Sequence, residues 1–164
     1  MMWRYKSKGF TIMGATIIMF KTENKNNPTT IEFNSIMSLQ NVGKYEDAFE
    51  ACKNLLIKYP NSPLLYNILG AINVGKSDFT NAIYSYLYAI KIKPNYAQAF
   101  NNLAVLLKKV GEFNLAILSY VKAINLKPGY IEGYNNLGLI YFERDEIQKS
   151  QFFFDKALKI DQTT

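Results

Sequence analysis

The sequence predicts an all-α solenoid built from one helix pair repeated, and three observations carry that prediction. Pro60, Pro94 and Pro128 stand 34 residues apart. Ala48, Ala82 and Ala116 keep the same interval, as do Tyr66, Phe100 and Tyr134, then Asn67, Asn101 and Asn135, and the aromatic set Tyr45, Phe79 and Phe113. Each interval holds two helix-length apolar patterns and no period-two strand. A fixed period in the mid-thirties marks a chain of stacked supersecondary units rather than a unique globular sequence.

The elements follow in order. In residues 1–20, Arg4, Lys6 and Lys8 precede an apolar run from Phe10 to Phe20. That run resembles a weak signal or anchor, but it is shorter than the roughly 20 apolar residues needed to span a bilayer, and Lys21-Thr22-Glu23 offers no small-residue cleavage site. The alternative is that translation starts at Met13 or Met19. Residues 21–30, KTENKNNPTT, read as a polar linker. A leader and linker over 1–28 therefore precede four units at 29–62, 63–96, 97–130 and 131–164.

Thr29 with Glu32 three residues on is a capping-box pattern, and Ser62-Pro63 puts a cap residue before a proline at the first helical position. Gly43 and Gly111 fall between the apolar runs, where a left-handed residue closes the first helix of a pair. The three periodic prolines stop the second helix, with Lys58, Lys91, Lys93 and Lys127 near its carbonyl end. Small residues at Gly70, Ala104 and Gly138, and at Ala48, Ala82, Ala116 and Ser150, mark close helix approach. Tyr86, Tyr120 and Phe154 fill the space beside them, and Cys52 shares their column, which makes it a buried structural thiol.

Composition narrows the chemistry. The chain has no histidine and one cysteine, so imidazole acid–base mechanisms, Cys/His metal sites and an internal disulfide are all absent from its repertoire. We therefore expect no catalysis, no metal and no cofactor. The net charge of +6 is unevenly spread: residues 1–28 carry five basic groups against one acidic, while residues 29–164 carry 14 against 12. Nearly neutral repeats do not make a phosphate-tracking face, so no nucleic-acid partner is expected. Residues 70–77, GAINVGKS, satisfy the phosphate-loop pattern G-x-x-x-x-G-K-S. That mechanism needs a strand running into a glycine-rich loop, whereas the repeat register puts Gly70 mid-helix, so nucleotide binding is rejected.

The run Phe100-Asn101-Asn102-Leu103-Ala104, followed by Gly111-Glu112-Phe113, Ala116, Tyr120, Ala123 and Pro128, resembles a tetratricopeptide repeat. The resemblance extends over residues 29–164 and is weaker in the terminal units, where Glu32 and Ser35 replace an aromatic and a leucine, and Asp145 and Gln162 replace glycine and proline. It implies a right-handed superhelix whose first helices line a concave groove for a protein or peptide.

Helical spacing assigns positions 2, 5, 9 and 12 of each unit to that groove. Asn67, Asn101 and Asn135 occupy position 5, Asn102 and Asn136 position 6, and Val105 and Leu139 position 9. The asparagines resemble the ladder in the repeats of O-linked N-acetylglucosamine transferase, in whose style, and that of bacterial repeat-fused transferases, amides hold an extended peptide by its backbone. A plainer reading is that they solvate an exposed helix face. The lysine–asparagine pair with which chaperone-binding repeats clamp a carboxylate tail has no counterpart here.

The expected function is thus a protein–protein interaction module, with two alternatives: the substrate-docking part of a larger transferase, or a membrane-tethered scaffold. The expected location is cytoplasmic, unless the leader anchors or exports the chain. Phe152, Phe153, Phe154, Leu158 and Ile160 crowd the last helix, which predicts self-association through it or a continuation of the array.

Overall fold

The computed structural model describes residues 26–162 and, upstream, two strands of two residues each, β1 (Ile12–Met13) and β2 (Thr16–Ile17), paired antiparallel. The expectations of a signal, an anchor or a later start concern residues that otherwise lie outside the described ones. Among the described residues no helix is long and apolar enough to cross a membrane.

Among the described residues eight helices make four antiparallel pairs. They are α1 (Thr30–Asn41) and α2 (Tyr45–Lys58), α3 (Pro63–Gly75) and α4 (Phe79–Ile92), α5 (Ala97–Lys109) and α6 (Phe113–Leu126), and α7 (Ile131–Glu143) and α8 (Ile147–Asp161). The second helices begin at Tyr45, Phe79, Phe113 and Ile147, each 34 residues after the last. Packing is mainly local: each helix lies against its pair partner, and each second helix then lies against the first helix of the next pair. The chain is a solenoid, as its period requires.

The caps explain where the helices start. Thr29 Oγ1 accepts from Glu32 N at 3.3 Å while Thr29 N donates to Glu32 Oε2 at 2.8 Å, a complete capping box. Ser62 Oγ accepts from Leu65 N at 3.3 Å, with Pro63 in the first helical position. Between the helices of each pair, one slot is left-handed: Gly43 (φ 75°), Ser77 (φ 61°), Gly111 (φ 87°) and Asp145 (φ 59°). Two of the four slots thus impose that conformation on a residue with a side chain. Helices α2, α4 and α6 stop at Lys58, Ile92 and Leu126, two residues before their prolines. Helix α8, with Gln162 at the proline position, continues one residue longer than they do.

The inner contact of each pair is one small residue against one ring. A Cβ added to Gly70 would lie 2.5 Å from the Tyr86 ring, and one added to Gly138 would lie 2.7 Å from Phe154. Alanine substitutes at Ala104, which faces Tyr120 by the same register. The first pair reverses the arrangement: Ile36 stands where the others are small and Cys52 where the others carry a ring, and both are fully buried in one cluster. Volume is conserved across the contact, as a close-packed interior requires.

Candidate functional site

The first helices α1, α3, α5 and α7 lie side by side along the array, and two polar contacts join consecutive ones. Asn102 Nδ2 of α5 donates to Asn67 Oδ1 of α3 at 3.1 Å, and Lys108 of α5 pairs with Glu143 of α7 at 2.7 Å. The asparagine contact runs from position 5 of one unit to position 6 of the next. In the preceding step of the array that pair is Phe33 with Ile68, an apolar version. In the following step it is Asn101 with Asn136, and here Asn101 Oδ1 is buried and accepts no hydrogen bond among the described residues.

This geometry corrects the exposed stripe expected from helical spacing. Asn67 and Asn101 are only 5% and 8% exposed, because position 5 faces the seam between neighbouring first helices rather than open solvent. Asn102 and Asn136 are half-buried at that seam, and Asn135, in the last described unit, is exposed. Val105 and Leu139 are exposed at 47% and 43% on adjacent first helices. Phe142, one turn beyond Leu139 and 61% exposed, continues the same apolar row. Phe142 stands at position 12, which helical spacing assigns to the same stripe as Val105 and Leu139.

The phosphate-loop pattern is absorbed by packing. Gly70 is mid-helix under Tyr86, and Gly75 ends α3 against the Tyr45 ring. Lys76 caps that helix, lies 4.0 Å from the centroid of the Phe49 ring and pairs with Glu46 at 2.9 Å. The glycines allow close ring contact, and the lysine neutralises a neighbour on α2. Cys52 Sγ donates to Leu65 O at 3.6 Å, and burial pushes its thiol up to about 12, so it stays protonated and inert at neutral pH. Among the described residues no group of three or more His, Cys, Asp or Glu side chains could hold a metal ion.

Stacked helix pairs with an apolar row along their first helices define a helical-repeat interaction scaffold. The chain belongs to the tetratricopeptide repeat family: one family model, described as TPR repeat, matches residues 75–111 and 107–144, and a second, described as tetratricopeptide repeat, matches residues 131–164. Photosystem I assembly protein Ycf3 of Dioscorea elephantipes is 40% identical over 76 residues, and that of Sorghum bicolor 37% over 76. The match spans 44% of the length of each of these relatives and 44% of this chain. A crystal structure of MamA superposes with a TM-score of 0.74 at 28% identity, covering 85% of this chain and 81% of that one. BtubC from P. vanneervenii has a TM-score of 0.73 at 20% identity, over 81% of this chain and 62% of that one, a likeness of fold alone.

Proposed function

We propose that this protein is an assembly scaffold that holds an extended segment of a partner protein along its first helices, with Asn102, Asn135 and Asn136 pairing to the partner's backbone and Val105, Leu139 and Phe142 receiving its apolar side chains. The observation that carries this reading is the apolar row at Val105 and Leu139, set beside half-buried amides that hold both donors and acceptors. Asn67 and Asn101, buried at the seam, belong to the contact between first helices. A partner that turned Asn136 toward Asn101 Oδ1 would complete the second rung of the ladder. The relatives' name supports assembly as the kind of task, and the reading carries over neither their photosystem nor any reaction.

The test is a pull-down with the full chain, followed by affinity measurement on the captured partner. Asn135→Ala and Asn136→Ala combined with Val105→Ser and Leu139→Ser remove at least two hydrogen bonds of about 0.5–1.5 kcal/mol each, together with apolar contact. Affinity should fall tenfold or more at an unchanged melting temperature. Undiminished affinity with an intact fold would move the site off this face.

A second surface favours association between copies. Position 28 of a second helix is covered by the next pair: a Cβ added to Gly133 of α7 would lie 2.6 Å from Ile124 of α6. Leu158 holds that position in α8 and is 57% exposed. With Phe154 and Ala157 it lines a groove of about 510 Å³ beside the last described helix, which we read as the surface either for self-association or for a continuation of the array.

A further inference from the structure

On the opposite side of α3 from the asparagine seam, the second helices α2 and α4 part over a pocket of about 380 Å³. Phe49 of α2 forms one wall, Tyr84 and Tyr88 of α4 the other, and Tyr66 and Asn73 of α3 the floor beside Ser85. We propose that this pocket is a second binding site, which receives a tyrosine side chain of a partner protein. The proposal does not depend on the first-helix row.

The array shows what the pocket is missing. In the last pair, the equivalents of Asn73 and Ser85 are Tyr141 and Phe153, whose rings stack with centroids 5.4 Å apart and planes 2° from parallel. Register places Leu39 with Ala51 in the first pair and Leu107 with Ser119 in the third. Only in the second pair are both positions small and polar, while the flanking Tyr66 and Tyr88 remain aromatic with centroids 4.4 Å apart. The void is therefore bordered by rings and stands where another pair of the same array stacks two of its own. Its volume lies within the range of about 300–1,000 Å³ usual for ligand pockets.

The floor selects the ring. Asn73 is 3% exposed, and its Nδ2 reaches Ser85 Oγ only at 3.5 Å. Ser85 Oγ donates to Asn81 O at 2.7 Å, so its proton is committed. Asn73 Oδ1 accepts no hydrogen bond among the described residues, and it is not sealed from solvent as Asn101 Oδ1 is. Asn73 lines the pocket, and an acceptor that no side chain or backbone donor occupies is open to a ligand that brings an O–H, which a phenol does and a phenyl ring does not. At the rim, Lys76 is already engaged with Glu46 and Phe49. Asp78 lines the same pocket, so the lysine is balanced by a carboxylate there and the site offers no net positive charge to a phosphate, which suits an unmodified tyrosine.

The test uses isotope-labelled full-length protein and amide chemical shifts. N-acetyl-tyrosinamide should perturb Asn73, Ser85 and Tyr88, bind about three- to tenfold more tightly than N-acetyl-phenylalaninamide, and exceed N-acetyl-leucinamide by more. Refilling the void with Asn73→Tyr and Ser85→Phe should abolish binding while the helical circular dichroism is retained. Tyr88→Ala, which removes a half-exposed wall, should weaken it independently of how the refilled variant folds. The peptide Gly-Gly-Tyr-Gly-Gly should bind at least as well as the amide. Equal binding of leucinamide, or undiminished binding by a folded variant, would overturn the site. Binding of p-cresol with exclusion of the peptide would overturn the protein partner in favour of a small aromatic ligand.

Discussion

Ile36 and Cys52 show how a single contact carries the repeat. Elsewhere a glycine or alanine on the first helix lies under an aromatic ring on the second, and here the large and small partners have changed places. Cys52→Tyr alone should overpack a fully buried site and cost about 1–3 kcal/mol, whereas Cys52→Tyr with Ile36→Gly restores the arrangement of the next pair and should recover most of that loss. Thermal melts of the single and double variants measure the coupling, and simple additivity would refute the exchange.

Glu32 is the other residue whose environment has a readable consequence. The Lys58 ammonium at 2.9 Å, followed by the Thr29 amide and the Tyr59 hydroxyl, holds its carboxyl down at about 2. Because the folded value lies below the ordinary 4.5, the stabilisation is fully present above about pH 4.5 and is lost as the pH falls towards 2. The melting-temperature difference between wild type and Glu32→Gln should therefore shrink as acid is added over that window. A difference independent of pH would show that Glu32 acts only as a neutral cap. The capping box was legible in the sequence, since Thr29 and Glu32 are three residues apart. The clasp to Lys58 and Tyr59 was not, because it joins the start of one helix to the end of another.

At the scale of the element, periodicity located each helix because the boundary residues repeat with the core. It was less informative about exposure. The asparagines at position 5 read as a solvent stripe on an isolated helix, but the neighbouring first helix covers Asn67 and Asn101. Such burial depends on how pairs stack, which no single helix encodes. The last helix illustrates the same point: of the three consecutive phenylalanines, Phe153 stacks on Tyr141 and Phe154 lies against Gly138, leaving Phe152 outward at 55% exposure. The proposed self-association of α8 rests on Leu158, exposed at position 28. Sedimentation velocity should show concentration-dependent association that Leu158→Lys suppresses and that Phe152→Ser alters less. Equal effects of the two changes would place the contact elsewhere on the helix.

The whole molecule is less uniform than its period suggests. Its larger buried apolar residues form two clusters, one spanning α1–α3 and the other α4–α7, with half-buried Val74 of α3 and Phe153 of α8 packed against the second. Asn73 and Ser85, both buried and polar, stand where the first cluster gives way to the second. Leu39 and Leu107 hold the equivalent of Asn73 in neighbouring pairs, so the interruption arises from one residue type rather than from the fold. In a solenoid, where each pair is stabilised mainly by its neighbours, a polar break should let the end beyond it open on its own. Amides of α1 and α2 should accordingly exchange with deuterium well before those of α5 and α6. Asn73→Leu buries an apolar side chain across the break and leaves the Ser85 bond to Asn81 intact, so it should add about 1–2 kcal/mol and slow exchange in α1 and α2 in particular. Protection gained evenly along the array, or already even in the wild type, would mean that the two clusters unfold as one.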